Sequence, residues 1–124
     1  MNIKEFSSRV GVSAHTIRYY EKIGVLREIR RSSSGHRFFN GQDLKWMEFV
    51  LRLKDMGMPL SQIQRYAELR EQGDTTMQER KALLEAHVEI VRQRLAIEQE
   101  HLRNIQDKIA LYDSFISGEK AFPY

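Results

Sequence analysis

The residues of this 124-residue chain that could do chemistry concentrate near its start. Around Ser13 to Ile23, the spacing of Val12, Ile17, Tyr20 and Ile23 assigns one helix face to a core and leaves Ala14, His15, Arg18, Tyr19 and Lys22 on the opposite face. That outward set suits one kind of recognition. An Arg pairs bidentately with guanine or holds a phosphate, a Tyr hydroxyl donates to a phosphate, and a small Ala lets a helix approach a groove closely. Taken alone, the same face is equally an ordinary solvated helix surface. A second basic group follows, in which Arg30, Arg31, His36 and Arg37 flank the turn cluster Ser32-Ser33-Ser34-Gly35. A basic hairpin tip can lie along the DNA backbone or in the minor groove, and by itself it is also a solvent-exposed basic turn. Helix and hairpin together supply two separate contacts for one polyanion.

Charge distribution agrees with a polyanion bound at one end. Residues 1–40 hold Lys4, Arg9, Arg18, Lys22, Arg27, Arg30, Arg31 and Arg37 against Glu5, Glu21 and Glu28, a net +5. The whole chain is +3, so the remainder is mildly acidic at −2.

Other chemistries find no support. With no cysteine, disulfides, iron–sulfur clusters, thiolate zinc sites and thiol redox sensing are excluded. The histidines are scattered at His15, His36, His87 and His101. His87 and His101 share a flank of one helix but stand about 21 Å apart, so they cannot share an ion within it and are expected to be solvated. No phosphate-cradling glycine loop, Ser-His-Asp set or paired carboxylates can be assembled, so neither an enzyme nor a cofactor is expected. No apolar run approaches the ~20 residues that span a bilayer, and the start lacks a signal-peptide layout, so a cytoplasmic location off the membrane is expected.

The elements that position the basic residues follow from caps and breakers. Asn2 and Glu5 open a first helix carrying Ile3, Phe6 and Val10, which Gly11 ends. Ser13 caps a second helix that Gly24 stops, giving a helix-turn-helix. Residues 26–31 and 36–39 are extended in character and form a hairpin, or wing. Asn40 and Asp43 open a third helix with Leu44, Trp46, Met47, Phe49, Val50 and Leu51, closed by Gly57 and Pro59. Ser61 and Gln64 suit the cap of a fourth, carrying Ile63, Tyr66, Ala67 and Leu69 and ending near Gly73. Thr76 and Glu79 suit a capping box for a long last helix, although Thr75 or Asp74 could also cap it.

From Leu84 the apolar positions of that helix step by four and three: Leu84, Val88, Val91, Leu95, Leu102, Ile105, Ile109, Tyr112 and Ile116, with Glu98 in the one polar slot. This is a heptad seam, and it predicts a coiled coil with a second copy of the chain. Glu98 is expected to fix register, although it could also receive a cationic effector. A second stripe, Leu83, Ile90, Ile97 and Leu111, could pack on the partner's head. The fold class is therefore mainly α: a winged helix-turn-helix domain over residues 1–73, a long C-terminal dimerisation helix over 74–117 and a short tail over 118–124.

On these residues the chain resembles the MerR-type (mercury-resistance regulator) family of bacterial transcription regulators. The resemblance is carried by Ser13 to Leu26, which includes Thr16-Ile17-Arg18-Tyr19-Tyr20-Glu21, by Ser34-Gly35-His36-Arg37-Phe38-Phe39, and by Asp43-Leu44 through Lys54-Asp55-Met56-Gly57-Met58-Pro59-Leu60-Ser61-Gln62-Ile63. It implies a homodimer joined by an antiparallel coiled coil, bound to double-stranded promoter DNA, with RNA polymerase nearby and the DNA bent and untwisted to control transcription. It places Arg18 and Tyr19 at the DNA and Arg37 as the wing contact, while the helical pattern turns Tyr20 inward. His36 and Phe39 stand where the family usually has Tyr. Phe39 lacks a hydroxyl for phosphate, which predicts weaker or rearranged wing contacts, and His36 could add charge when protonated. The stretches around Met58-Pro59-Leu60 and Gly73-Asp74-Thr75 resemble the branch with aldehyde- and thiol-stress regulators, but Arg52 occupies the position of that branch's sensing cysteine. The inducing small molecule is unidentified. A DNA-architectural or recombination accessory protein is the alternative for such a winged fold, and the long last helix speaks against it.

Overall fold

The computed structural model of the chain describes residues 1–27 and 29–121. Glu28, counted above in the charge of the head, and residues 122–124 of the expected tail lie outside the described residues. Contacts divide the chain into two compact units, Met1–Glu85 and Ala86–Tyr124.

The first unit begins with α1 (Ile3–Val10), whose first turn is fixed by the Asn2 side chain accepting from the Glu5 N–H. Its Phe6 is fully buried. After a turn in which the Ser7 hydroxyl donates to the Val12 carbonyl, Ser13 caps α2 (Ala14–Lys22) by accepting from the Thr16 N–H. The helix stops because Gly24 takes φ +84°, and Arg27 folds back to donate from Nε to the Gly24 carbonyl. Strands β1 (Arg30–Arg31) and β2 (Arg37–Phe38) pair antiparallel, with Arg30 opposite Phe38 and Arg31 opposite Arg37. They are shorter than the extended stretches expected, since residues 26 and 39 are taken into the core. Leu26 and Phe39 are each 1% exposed.

Helix α3 (Gly41–Asp55) opens on a capping box between Asn40 and Asp43. It contributes Trp46, Met47, Val50 and Leu53 to the core. Helix α4 (Leu60–Gln72) is capped by Pro59, and no side chain bonds its free amides. The expected Ser61–Gln64 cap is therefore corrected. Pro59 already holds the pre-set φ that starts a helix, which puts Ser61 inside the first turn. The expected Thr76–Glu79 box is corrected too. Residues Asp74–Thr76 form a 3₁₀ turn, and the buried Thr76 hydroxyl donates backwards to the carbonyls of Leu69 and Gly73. Thr76 thus satisfies the open carbonyls ending α4 instead of the open amides starting the next helix.

The last helix, α5, runs from Met77 to Ile116. Its Leu84 packs on the core of the first unit, which is built from Phe6, Ile17, Tyr20, Val25, Leu26, Phe39, Trp46, Met47, Val50, Leu53, Met58, Ile63 and Ala67. In the second unit, most of the seam is open: Val88, Leu95, Leu102, Ile105, Ile109, Tyr112 and Ile116 are 43–81% exposed. Val91 is half-buried, and Glu98 makes an i,i+3 ion pair with His101 at 3.5 Å. His87 is buried rather than solvated as expected, at 4% exposure. No helix among the described residues is long and apolar enough to cross a membrane.

Candidate nucleic-acid interface

Helix α2 sorts its residues by angle. Ile17 and Tyr20 are buried, while His15, Arg18, Tyr19 and Lys22 are exposed and Ala14 is half-buried on the outward face. This is the division expected from the apolar spacing. Tyr20 enters the core as the helical pattern requires, and its hydroxyl accepts from Lys54 Nζ at 2.8 Å on α3. That hydrogen bond holds the Lys54 ammonium above its ordinary pKa, because it favours the charged form. Tyr19, its neighbour, keeps 46% of its surface in solvent.

The wing is built as a tight polar loop. Gly35 adopts φ +83° so that its N–H can donate to the Ser32 carbonyl, and Ser32 N–H donates to the His36 carbonyl at 2.7 Å. The Ser34 hydroxyl lies 3.1 Å from His36 Nδ1 and 3.0 Å from the Ser32 hydroxyl. Arg30, Arg31 and His36 are exposed and Arg37 is half-buried. At the base of the wing, Phe39 stacks on Phe6 with ring centroids 4.1 Å apart and planes 7° off parallel. The expectation that Phe39 weakens the wing's phosphate contacts is thereby corrected. Side chain 39 faces the core, where a phenyl ring is the better filler, and Phe38 is the outward residue at 54% exposure.

One residue that sequence reasoning passed over joins the two halves. Glu21 Oε1 accepts from Arg37 Nε at 2.9 Å and from Arg31 Nη2 at 3.1 Å. A single carboxylate at the inner edge of α2 therefore ties down both cationic side chains of the hairpin's last pair, Arg31 and Arg37. The result is a cleft of about 360 Å³ lined in part by Lys4, Arg18, Arg31, His36 and Arg37. Four of the residues assigned from sequence to DNA contact, Arg18, Arg31, His36 and Arg37, meet there. Lys4 joins them from α1, and its only sequence signal was its place in the basic head. Ala14, His15, Tyr19 and Lys22 extend the outward face along α2, and Arg30 stands on the other side of the wing, opposite Phe38. A concave surface with cations from three elements suits a sugar-phosphate strand, and the outward face of α2 beside it suits base edges in a major groove.

Comparison with known proteins gives the same direction. Residues 1–70 match the family model described as MerR HTH family regulatory protein, and residues 44–107 match that described as MerR, DNA binding. An uncharacterised helix-turn-helix transcriptional regulator of Haemophilus influenzae is 36% identical over 86% of this chain and 78% of its own length. The regulator AdhR of Bacillus subtilis is 34% identical over 68% of this chain and 60% of its own length. Among solved structures, one assigned to the MerR regulators of Listeria monocytogenes superposes with a TM-score of 0.88 at 36% identity, covering 96% of this chain and 90% of that one. The regulator HiNmlR, described as lacking the sensor domain and solved bound to promoter DNA, superposes with a TM-score of 0.80 at 33% identity, covering 94% and 92%.

Proposed function

The chain belongs to the MerR family of helix-turn-helix regulatory proteins, and from that premise we propose that it is a transcription regulator that binds promoter DNA as a homodimer. In this reading α2 enters the major groove with Arg18 and Tyr19 leading, flanked by Ala14, His15 and Lys22. The wing lays Arg31, His36 and Arg37 on the neighbouring backbone, and Arg30 serves its outer side. The observation that carries the reading is the basic cleft in which α1, α2 and the wing converge. The DNA-bound relative supports it, since that protein is similar over nearly the whole of both chains.

The dimer rests on the second unit. Burying a Leu or Ile side chain is worth about 1.5–3 kcal/mol, and seven large seam residues of α5 stand open. Only another long helix with the same repeat covers such a seam along its length, and a second copy supplies it. Two heads joined this way address two half-sites of one duplex, and the DNA between them is bent or untwisted to bring promoter elements into register for RNA polymerase. The long α5 also sets the protein apart from a winged architectural factor acting as a single head.

The test uses the DNA upstream of the protein's own gene. Wild-type protein is expected to protect a pseudo-palindrome there, Arg18→Ala to abolish protection and Arg37→Ala to weaken it. Unchanged footprints from both variants would remove the assignment.

A further inference from the structure

On the side of the first unit built by α3, α4 and the first turns of α5 lies a second cleft, of about 440 Å³, that the DNA reading does not use. Its wall is aromatic. Trp46 stacks on Tyr66 at 5.8 Å and 15°, and Phe49 leans on both at 6.1 and 5.7 Å. Its rim is cationic, since Lys45, Arg70 and Arg80 line it and no carboxylate does. The Arg70 guanidinium already lies 4.4 Å over the Trp46 ring. Arg80 donates from Nη2 to the Gly73 carbonyl at 3.1 Å, but its Nε is buried with no hydrogen-bond partner among the described residues. A buried donor with nothing to bond is unfavourable and calls for an explanation.

We propose that this cleft is a binding site for a small planar organic anion, an aromatic carboxylate in chemical class. The ring of such a ligand extends the Trp46–Tyr66–Phe49 stack, and its carboxylate is neutralised by Arg80 and Lys45. Each part of the site selects one feature of the ligand. Rings favour a flat apolar body, and cations without a counter-charge favour a negative head. The volume falls within the range of small-molecule sites. Inorganic phosphate would use the cations and leave the rings bare, and a neutral aromatic would do the reverse. The site also reaches the reader, because the Trp46 indole N–H donates to the Val25 carbonyl at 2.8 Å, in the turn that follows α2.

The experiment is calorimetric titration of the full chain with 2-naphthoate, with 2-naphthamide and inorganic phosphate as controls. Saturable binding of 2-naphthoate is expected. Loss of the charge-assisted contact should make 2-naphthamide at least about tenfold weaker, and loss of ring stacking should do the same to inorganic phosphate. Arg80→Met and Lys45→Met should each weaken 2-naphthoate by about tenfold on the same ground. Lys45 is exposed, so its variant folds normally even if Arg80→Met lowers the thermal midpoint. The proposal is overturned by the absence of saturable heat, by equal affinity for the amide, or by wild-type affinity in Lys45→Met together with a folded Arg80→Met. Promoter binding by the ligand-free protein is measured in parallel. It does not depend on this cleft, so failure here leaves the DNA reading standing.

Discussion

Removing Glu21 tests whether the wing is held in place by the recognition helix. In Glu21→Ala both arginines lose their shared acceptor. The Arg31 pair, with side chains 46% and 21% exposed, takes the value of a surface ion pair, about 0.3 kcal/mol. The Arg37 pair is less exposed, at 23% and 21%, and its 2.9 Å contact is charge-assisted, so about 1 kcal/mol is appropriate. The docked wing therefore loses roughly 1.3 kcal/mol, close to a tenfold shift in its equilibrium against an undocked wing. Opposed to this is a gain. One carboxylate leaves the surface proposed to face DNA and two guanidinium groups are released toward phosphate, which steepens the dependence of log K on log salt by about one for each arginine that engages.

The two effects separate in a paired assay. Fluorescence anisotropy with the promoter duplex and with a scrambled duplex, each from 50 to 300 mM salt (roughly the range over which phosphate contacts are resolved), gives specific and non-specific affinities. Glu21→Ala should bind the scrambled duplex more tightly and with a steeper salt slope. Its promoter affinity should fall by up to about tenfold where one wing undocks and up to about eightyfold where both do, less what the released arginines regain at phosphate. A cycle with Arg37→Ala should return a coupling of about 1 kcal/mol. If promoter and scrambled affinities rise together and their ratio holds, Glu21 is only a repelling charge and the clamp argument is wrong.

Three further outcomes are expected. Phe6→Ala opens a void beneath Phe39, both rings being essentially fully buried, and should cost about 3–5 kcal/mol, seen as a fall of more than about 10 °C in the thermal midpoint of the head. Tyr20→Phe removes the acceptor for Lys54 and should cost about 0.5–1 kcal/mol at neutral pH. Because the Lys54 pKa is raised in the fold, that stabilisation is fully present below its ordinary value of 10.5 and is lost as pH rises through the higher folded value. The difference in urea midpoint between wild type and Tyr20→Phe should therefore shrink above that pH, and a constant difference would contradict the assignment. Ile105→Asp puts a charge into the open seam, where Ile105 is 61% exposed in the single chain. Sedimentation should then report the 14.7 kDa monomer in place of a dimer, with the head still folded.

Much of the head could be read from the sequence because its signals are local. Asn2, Ser13 and Asn40 each bond an amide within the next three residues, so composition at one spot determines where a helix starts. The apolar spacing of α2 is likewise set by helical geometry alone, and it correctly turned Tyr20 inward. What escaped depends on how separate segments meet. Phe38 and Phe39 are adjacent and identical in type, and only the register of Arg30 against Phe38 decides which one is buried. The Glu21 clamp joins residues 10 and 16 positions apart, and no spacing rule links a helix carboxylate to a hairpin whose direction is unknown. Thr76 looked like the start of α5 because cap residues read alike in either direction, and its buried position under the end of α4 made it a donor to what precedes it.

The run Arg18-Tyr19-Tyr20-Glu21 shows why the reader and its scaffold are hard to vary separately. Successive residues of an α-helix are turned by about 100°, so four in a row face nearly every direction. Here Arg18 and Tyr19 face solvent, Tyr20 anchors α2 to α3 through Lys54, and Glu21 holds the wing. Replacing any of the four changes either a contact or the frame that aims the other contacts. In the proposed reading, freedom to alter which bases are read is left chiefly to Ala14, His15 and Lys22, which lie on the outward face. Exchanging those three should change the preferred half-site while leaving the folding stability within about 0.5 kcal/mol of wild type, whereas a substitution at Tyr20 or Glu21 that changes the preferred site should also cost stability or wing order. Selection of operator variants against a library at positions 14, 15 and 22 measures this directly, and a library that recovers only the parental site would mean that these positions do not touch bases.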